Sequence, residues 1–263
     1  LVQIRAQTRF RDQLRESVYG IRPQVVIGRG RRRVRTAAEI RELVGIAEEQ
    51  KLILIAFDDD DVLELLSSPV AVMQVMRAKF DAVVVPSYSF WEPRPPPDFM
   101  YSAKRSLHYF EALQSCGVPA IVRVGWIHPA DVERIAEWVV ANPVVRTVAL
   151  DLQTYKAESF ARQIDGLARF DELTGGGLRY LINGPTIVPK CAAVYGAVEP
   201  ARVCMTNSRP VAAPGDFHAA CERDREILAE ARDLARAWAS AGAHAERRLA
   251  GEHPERRARQ DDP

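Results

Sequence analysis

Several things are missing from this chain, and each absence removes a class of protein. No run of about 18 apolar residues occurs, so no membrane-spanning helix is expected. The N-terminal stretch alternates Arg with apolar residues, which is not the pattern of a secretory leader. Cys116, Cys191, Cys204 and Cys221 are scattered, with no C-x-x-C pair. That spacing gives neither a zinc knuckle nor a redox dithiol. In a chain of this length the four thiols read as reduced, mostly buried small hydrophobes of a cytoplasmic protein. Lysine is scarce, five residues against 31 arginines, an imbalance we read mainly as genomic base composition. An extreme overall charge is also missing, since the formal net charge is +1. That sum conceals two regions. Residues 1–36 hold ten Arg against Asp12 and Glu16, a balance of +8, and the remainder carries −7.

What is present is an ordinary globular composition, and 263 residues fit one large domain or two small ones. Short apolar, β-branched runs recur at Gln24–Ile27, Leu52–Phe57, Ala82–Val85, Ala120–Gly125, Arg146–Leu150, Arg179–Ile182 and Arg202–Met205. They are continuous rather than alternating, as expected of strands covered on both faces in a parallel sheet. Helical patterns fill the gaps: Ala37–Gln50, opened by a Thr36/Glu39 capping box, then Val70–Lys79, Ser102–Ser115, Ala130–Ala141, Lys156–Leu173 and Val188–Tyr195. The count and the period of roughly 25–35 residues predict a (β/α)8 TIM-barrel-like fold, complete or short of one unit. A doubly wound parallel sheet is the alternative. Val2–Ile4 or Val211–Ala213 could supply the eighth strand. The expected organisation is a basic segment over 1–36 that includes the first strand, a barrel-like domain over 24–215, a long C-terminal helix over 216–250 and a disordered tail over 251–263.

In either architecture chemistry collects just past the strand C-termini. Those positions hold Asp58–Asp61 after the second run, Tyr88, Phe90 and Trp91 after the third, and Trp126 and His128 after the fourth. Asp151, Gln153 and Tyr155 follow the fifth, Asn183 the sixth, and Asn207 the seventh. Asp58 or Asp59 together with Asp151 would form a catalytic carboxylate pair. One member would stabilise or attack a cationic sugar centre while the other moves a proton. Asp60 or Asp61 doubles as a helix N-cap, and His128 reads as a cap ahead of Pro129. Tyr88, Trp91 and Trp126 could stack on a base or sugar, with Gln153, Asn183 and Asn207 as polar contacts. Packing at the rim and a structural turn at Asn183 are the competing readings. The loop Gly28-Arg29-Gly30-Arg31 continues to Arg33 and lacks both the GK[ST] of a Walker loop and a third glycine of the dinucleotide fingerprint. Its small residues and guanidinium forks still suit a phosphate, and a solvated basic loop is the alternative. Pro93–Pro97 reads as a stiff insertion at the rim. No cofactor motif is evident, and a divalent metal between the carboxylates is an alternative to the paired-carboxylate mechanism.

The same positions carry a resemblance. Phe57-Asp58-Asp59 followed by Pro69, then Pro86-Ser87-Tyr88-Ser89-Phe90-Trp91, then Gly117, Val118, Ile121, Val124 and Trp126 resemble a bacterial and phage domain family of unknown function. Its pattern runs through an acidic pair, P-D-F-S-x-Y and G-I-x-x-I-x-x-V-x-W, over about residues 50–210 here. Ser87 stands where that pattern has Asp, and Trp91 where it has Tyr. The resemblance implies a mobile-element setting, in which nucleic-acid substrates are common.

The expected function is therefore a barrel enzyme acting on a nucleotide, nucleoside or nucleic acid, by glycosyl-bond cleavage or base exchange. Metal-assisted phosphoester hydrolysis is close behind. A non-catalytic nucleic-acid binder led by the Arg-rich segment is the rival, and the long C-terminal helix could serve self-association.

Overall fold

In the computed structural model, the residues described are 2–4, 18–27, 33–56, 68–86, 96–152, 157–206 and 217–240. Six of the apolar runs, with two segments nearer the N-terminus, form eight parallel strands: β1 Val2–Ile4, β2 Val18–Ile21, β3 Lys51–Ile55, β4 Ala82–Val84, β5 Ala120–Arg123, β6 Thr147–Asp151, β7 Arg179–Asn183 and β8 Val203–Thr206. They lie side by side in chain order. Sequential parallel order, with helices following the strands from β2 onward among the described residues, is the TIM-barrel pattern, and it removes the doubly wound alternative, whose order reverses at a switch point. Among the described residues no ladder joins β8 to β1. β5 serves its neighbours with different halves: Ala120 and Ile121 pair with Val83 and Val84, whereas Val122 and Arg123 pair with Val148 and Ala149.

Two strand expectations change. Gln24–Ile27 is not the first strand. Pro23–Val26 forms a single helical turn, α1, opened by Pro23, and the strand lies earlier, at Val18–Ile21. Proline fixes the φ that a helix start needs, and that outweighs the β-branched run behind it. Val2–Ile4 supplies the eighth strand, while the other candidate, 211–213, lies outside the described residues.

The helices are α2 Ala37–Val44, α3 Pro69–Ala78, α4 Pro96–Ser115, α5 Pro129–Ala141, α6 Ala157–Leu173, α7 Val188–Ala197 and α8 Phe217–Ser240. The capping box forms as expected at α2. Thr36 Oγ1 accepts from the Glu39 N–H, and the Glu39 carboxylate accepts from the Thr36 N–H at 2.7 Å. The helix stops well short of Gln50, because Gly45 adopts φ 90° and reverses the chain there. α4 starts six residues early, so Pro96 and Pro97 belong to its first turn rather than to a rim insertion. α8 packs along α7, burying Ala231, Ala235 and Trp238. Residues 241–263, including the expected tail, lie outside the described residues.

Two buried layers follow from strand alternation. Ile55, Val84, Ala149 and Leu181 form a small cluster of their own, joined by Ile53 and Ile121, on the inner face of the strands. Their alternate neighbours, such as Leu54, Val122, Val148 and Ile182, join the larger core between sheet and helices. Among the described residues, no helix is long and apolar enough to cross a membrane.

Two ionic clusters fasten the N-terminal end of the sheet. Arg202 grips Asp171 with two bonds of 2.6 Å, and the Tyr180 hydroxyl donates to the same carboxylate at 2.8 Å. Burial pushes the Asp171 carboxyl up, but the bonds from Arg202 and Tyr180 outweigh it and hold the group below the usual carboxylate range. Asp81 accepts from the Leu52 N–H at 2.7 Å and pairs with Lys51 and Arg41, both at 3.1 Å. Burial again opposes these bonds and again loses.

Candidate active site at the strand C-termini

Alternation along the strands decides which side chains face inward. Ala149 and Leu181 point into the inner cluster, so Asp151 and Asn183, two residues further on, do as well. Register places Arg123 beside Ala149, Asp151 beside Asn183, and Asn183 beside Thr206. The inner face is apolar along its middle and becomes polar at the C-terminal ends of β5–β8. There an Arg, an Asp, an Asn and a Thr come from four consecutive strands.

The geometry centres on Asp151. Arg123 Nη2 lies 3.3 Å from its Oδ2, and Asn183 Nδ2 donates to its Oδ1 at 3.1 Å. Asn183 is fully buried and the Arg123 side chain is 7% exposed, whereas that of Asp151 is 20% exposed. Thus the carboxylate is the member of the cluster that reaches the rim, and the two donors stand behind it. Both Asp151 oxygens accept hydrogen bonds, one from Arg123 and one from Asn183. A burial of this kind is costly unless the charge is compensated, and Arg123 supplies the compensation.

Three of the expected site residues fall within the described regions, and the structure separates them. Asp151 and Asn183 are brought together, with Asn183 behind the carboxylate rather than at a substrate surface. Trp126 is not a stacking platform on the rim. Its parity matches Val122 and Val124, so it faces outward into the helix layer, where it is 3% exposed and stacks on Phe170 at 5.8 Å. A Cβ at Gly166 of α6 would lie 2.1 Å from the indole Nε1, so the glycine is what admits the ring. Gln163 Nε2 donates to the Trp126 carbonyl at 2.9 Å and ties the loop after β5 to α6.

Asp58, Asp59, Tyr88, Trp91, Gln153 and Asn207 lie outside the described residues, as do Gly28, Arg29, Gly30 and Arg31. The ends of that basic loop are placed. Ile27 and Val34 form an antiparallel bridge, and Arg35 N donates to Val26 O at 2.8 Å. The loop thus follows β2 and α1, not a strand at Gln24–Ile27. Arg33 pairs with Glu39 through bonds of 2.6 and 3.1 Å. The Arg33 hydrogen bonds hold the Glu39 carboxyl at about 2, helped by the Thr36 N–H.

His128 occupies the N-cap position of α5, as expected. The cap bonds come from Asp131, whose carboxylate accepts from the N–H groups of Ile127 and His128 at 3.1 and 2.9 Å. Of the cysteines, Cys191 and Cys221 are buried and Cys116 and Cys204 exposed. Burial pushes the Cys191 thiol up to about 12, which leaves it unreactive. Among the described residues, no group of three or more His, Cys, Asp or Glu side chains is placed to hold a metal ion.

Arg123 escaped the sequence reading because it lies inside the run Ala120–Gly125, where a polar residue reads as an interruption, and Thr206 because the last run was ended at Met205 and the site read from Asn207 onward. Counting back by two from a strand-end residue would have found Arg123, since Ile121, Arg123 and Gly125 share one face. The same count assigns Trp126 to the other face.

No family model matches the chain, and no curated protein matches it. Among solved structures, the chain is similar to the copper homeostasis protein CutC from Streptococcus agalactiae, at 11% identity and a TM-score of 0.48. The match covers 80% of this chain and 100% of that one.

Proposed function

We propose that this chain is a barrel enzyme of the glycosyl-transfer type, cleaving or exchanging the base of a nucleotide, nucleoside or nucleic acid. One observation carries the reading: an inward-facing carboxylate, Asp151, partly exposed at a strand C-terminus and bonded by buried Arg123 and Asn183. A carboxylate so held suits stabilisation of, or attack on, a cationic sugar carbon, because its position and charge are set before substrate arrives. The proton for the departing base must come from elsewhere, and Asp58 or Asp59 after β3 is our candidate. Tyr88 and Trp91 would stack on the base. The Gly28–Arg33 loop, anchored by the Ile27–Val34 bridge, would hold phosphate.

Metal-assisted phosphoester hydrolysis is the second reading, and it would need Asp151 to turn an oxygen from an N–H donor to the ion. The resemblance to a phage-borne domain family favours a nucleic-acid setting for either chemistry, with the Arg-rich leader as the contact. The test is base release from a panel of nucleosides, nucleotides and single-stranded oligonucleotides, followed by chromatography with and without magnesium. Release by the native chain that falls at least 100-fold in folded Asp58→Asn, Asp59→Asn or Asp151→Asn supports the reading. Release that persists in folded Asp151→Asn overturns it.

A further inference from the structure

A cleft of about 300 Å³ opens on the outer wall of the barrel between α5 and α6, and the rim chemistry makes no use of it. Trp126, Ile127, Pro129 and Val132 line it on the β5–α5 side, and Gly166 on the α6 side. Glu133, Asp165, Arg162, Arg169 and His128 stand at its edges. We infer that this cleft is a binding site for a small, uncharged, planar aromatic molecule of one or two rings, distinct from the strand-end site.

Three observations carry the inference. The volume is at the lower end of ligand pockets, which limits the occupant to a small molecule. The floor is apolar and rigid: Trp126 is clamped between Phe170 and the Cβ-free surface of Gly166, so its ring cannot swing out to fill the space itself. Both signs of charge stand at the edge, and Arg169 is already paired with Glu172 at 2.7 Å, so a charged ligand finds no cluster of one opposite sign to offset its lost hydration. An apolar ring, by contrast, exchanges water for the accessible faces of Ile127 and Pro129, over a floor of buried Trp126 and Val132. The Trp126 N–H itself is buried and has no acceptor among the described residues, so the ring's role toward a ligand is apolar contact.

Indole, neutral and nine heavy atoms in size, is the probe. We expect it to bind the full chain saturably, one to one, with a Kd near or below about 1 mM, as its size allows. Calorimetry and saturation-transfer NMR both read this. Glu133→Phe and Val132→Phe each place a ring in the cleft and should weaken binding at least tenfold. Glu133 is exposed, so that variant keeps the fold even where the buried Val132→Phe does not. Tryptamine and indole-3-acetate should bind more weakly than indole. No saturable binding of indole overturns the proposal. Unchanged indole affinity in folded Glu133→Phe overturns it equally, because binding would then lie elsewhere, as would tighter binding of either charged analogue.

Discussion

The two ends of the barrel each hold an Arg–Asp pair, and the pairs are built differently. At the N-terminal end, Arg202 meets Asp171 fork to fork with two short bonds, and Tyr180 fills a further acceptor site. At the C-terminal end, Arg123 Nη2 lies 3.3 Å from Asp151 Oδ2 and Asn183 Nδ2 donates to Oδ1 at 3.1 Å, with the carboxylate partly exposed at the strand end. The first pair ties the end of α6 to the turn before β8 and faces the helix layer. The second faces the barrel axis. A carboxylate gripped by a full guanidinium fork between elements is a fastener, and we place the proposed chemistry on the other pair, at the strand C-termini.

The comparison breaks most easily on matched Asp→Asn changes. Asp151→Asn should lower the proposed base release by at least 100-fold, equivalent to roughly 3 kcal/mol on the barrier, in a steady-state assay. Asp171→Asn should leave that assay nearly unchanged but cost about 2–3 kcal/mol of stability, because it orphans a half-buried guanidinium. In a thermal melt that is a fall of roughly 5–10 °C. If Asp151→Asn is the more destabilising of the two, the division between the ends is wrong.

Acid sharpens the contrast further. The Asp171 carboxyl is depressed in the folded chain, so its contribution is complete above the unfolded value near 4 and is lost as pH falls through the folded value. Stability of the native chain should therefore drop between about pH 4 and the lower folded value, and Asp171→Asn should flatten that drop in denaturant titrations at each pH. The smallest effect belongs to the rim-side cap. Thr36→Ala removes the acceptor for the Glu39 N–H and should cost about 1 kcal/mol. The exposed Arg33–Glu39 pair adds little beyond that.

Strands β3 to β8 were legible because each is a short continuous apolar run bounded by helix signals, which is what burial on both faces demands. Val2–Ile4 stood as one of two candidates for the eighth strand, and only β2 was not legible. Val18–Ile21 contains a glycine and follows an Arg-rich stretch, and the more convincing run, Gln24–Ile27, follows a proline that turns it into a helix start. At the site, Asp151 and Asn183 were legible from their position just past apolar runs. Trp126 was misread because position after a strand says nothing about face. Its inward or outward direction depends on parity with Val122 and Val124, and parity needs the strand's register rather than its end. Arg123 was hidden for the same reason: a charged residue inside a strand declares itself only when the axis side is known.

The divided pairing of β5 has a consequence for motion. β6 and β7 share five residues of register and β7 and β8 share four, but β5 gives only two to each neighbour. The sheet is thus two well-knit blocks stitched along one strand, and sub-global opening should part there first, visible as early amide exchange at Ala120–Arg123. Asp151 and Asn183 sit together on one block, and Arg123 sits on the stitch. The Arg123–Asp151 contact ties the second half of β5 to β6, so loss of the carboxylate should quicken exchange at Val122 and Arg123 before it is felt at Ala120 and Ile121.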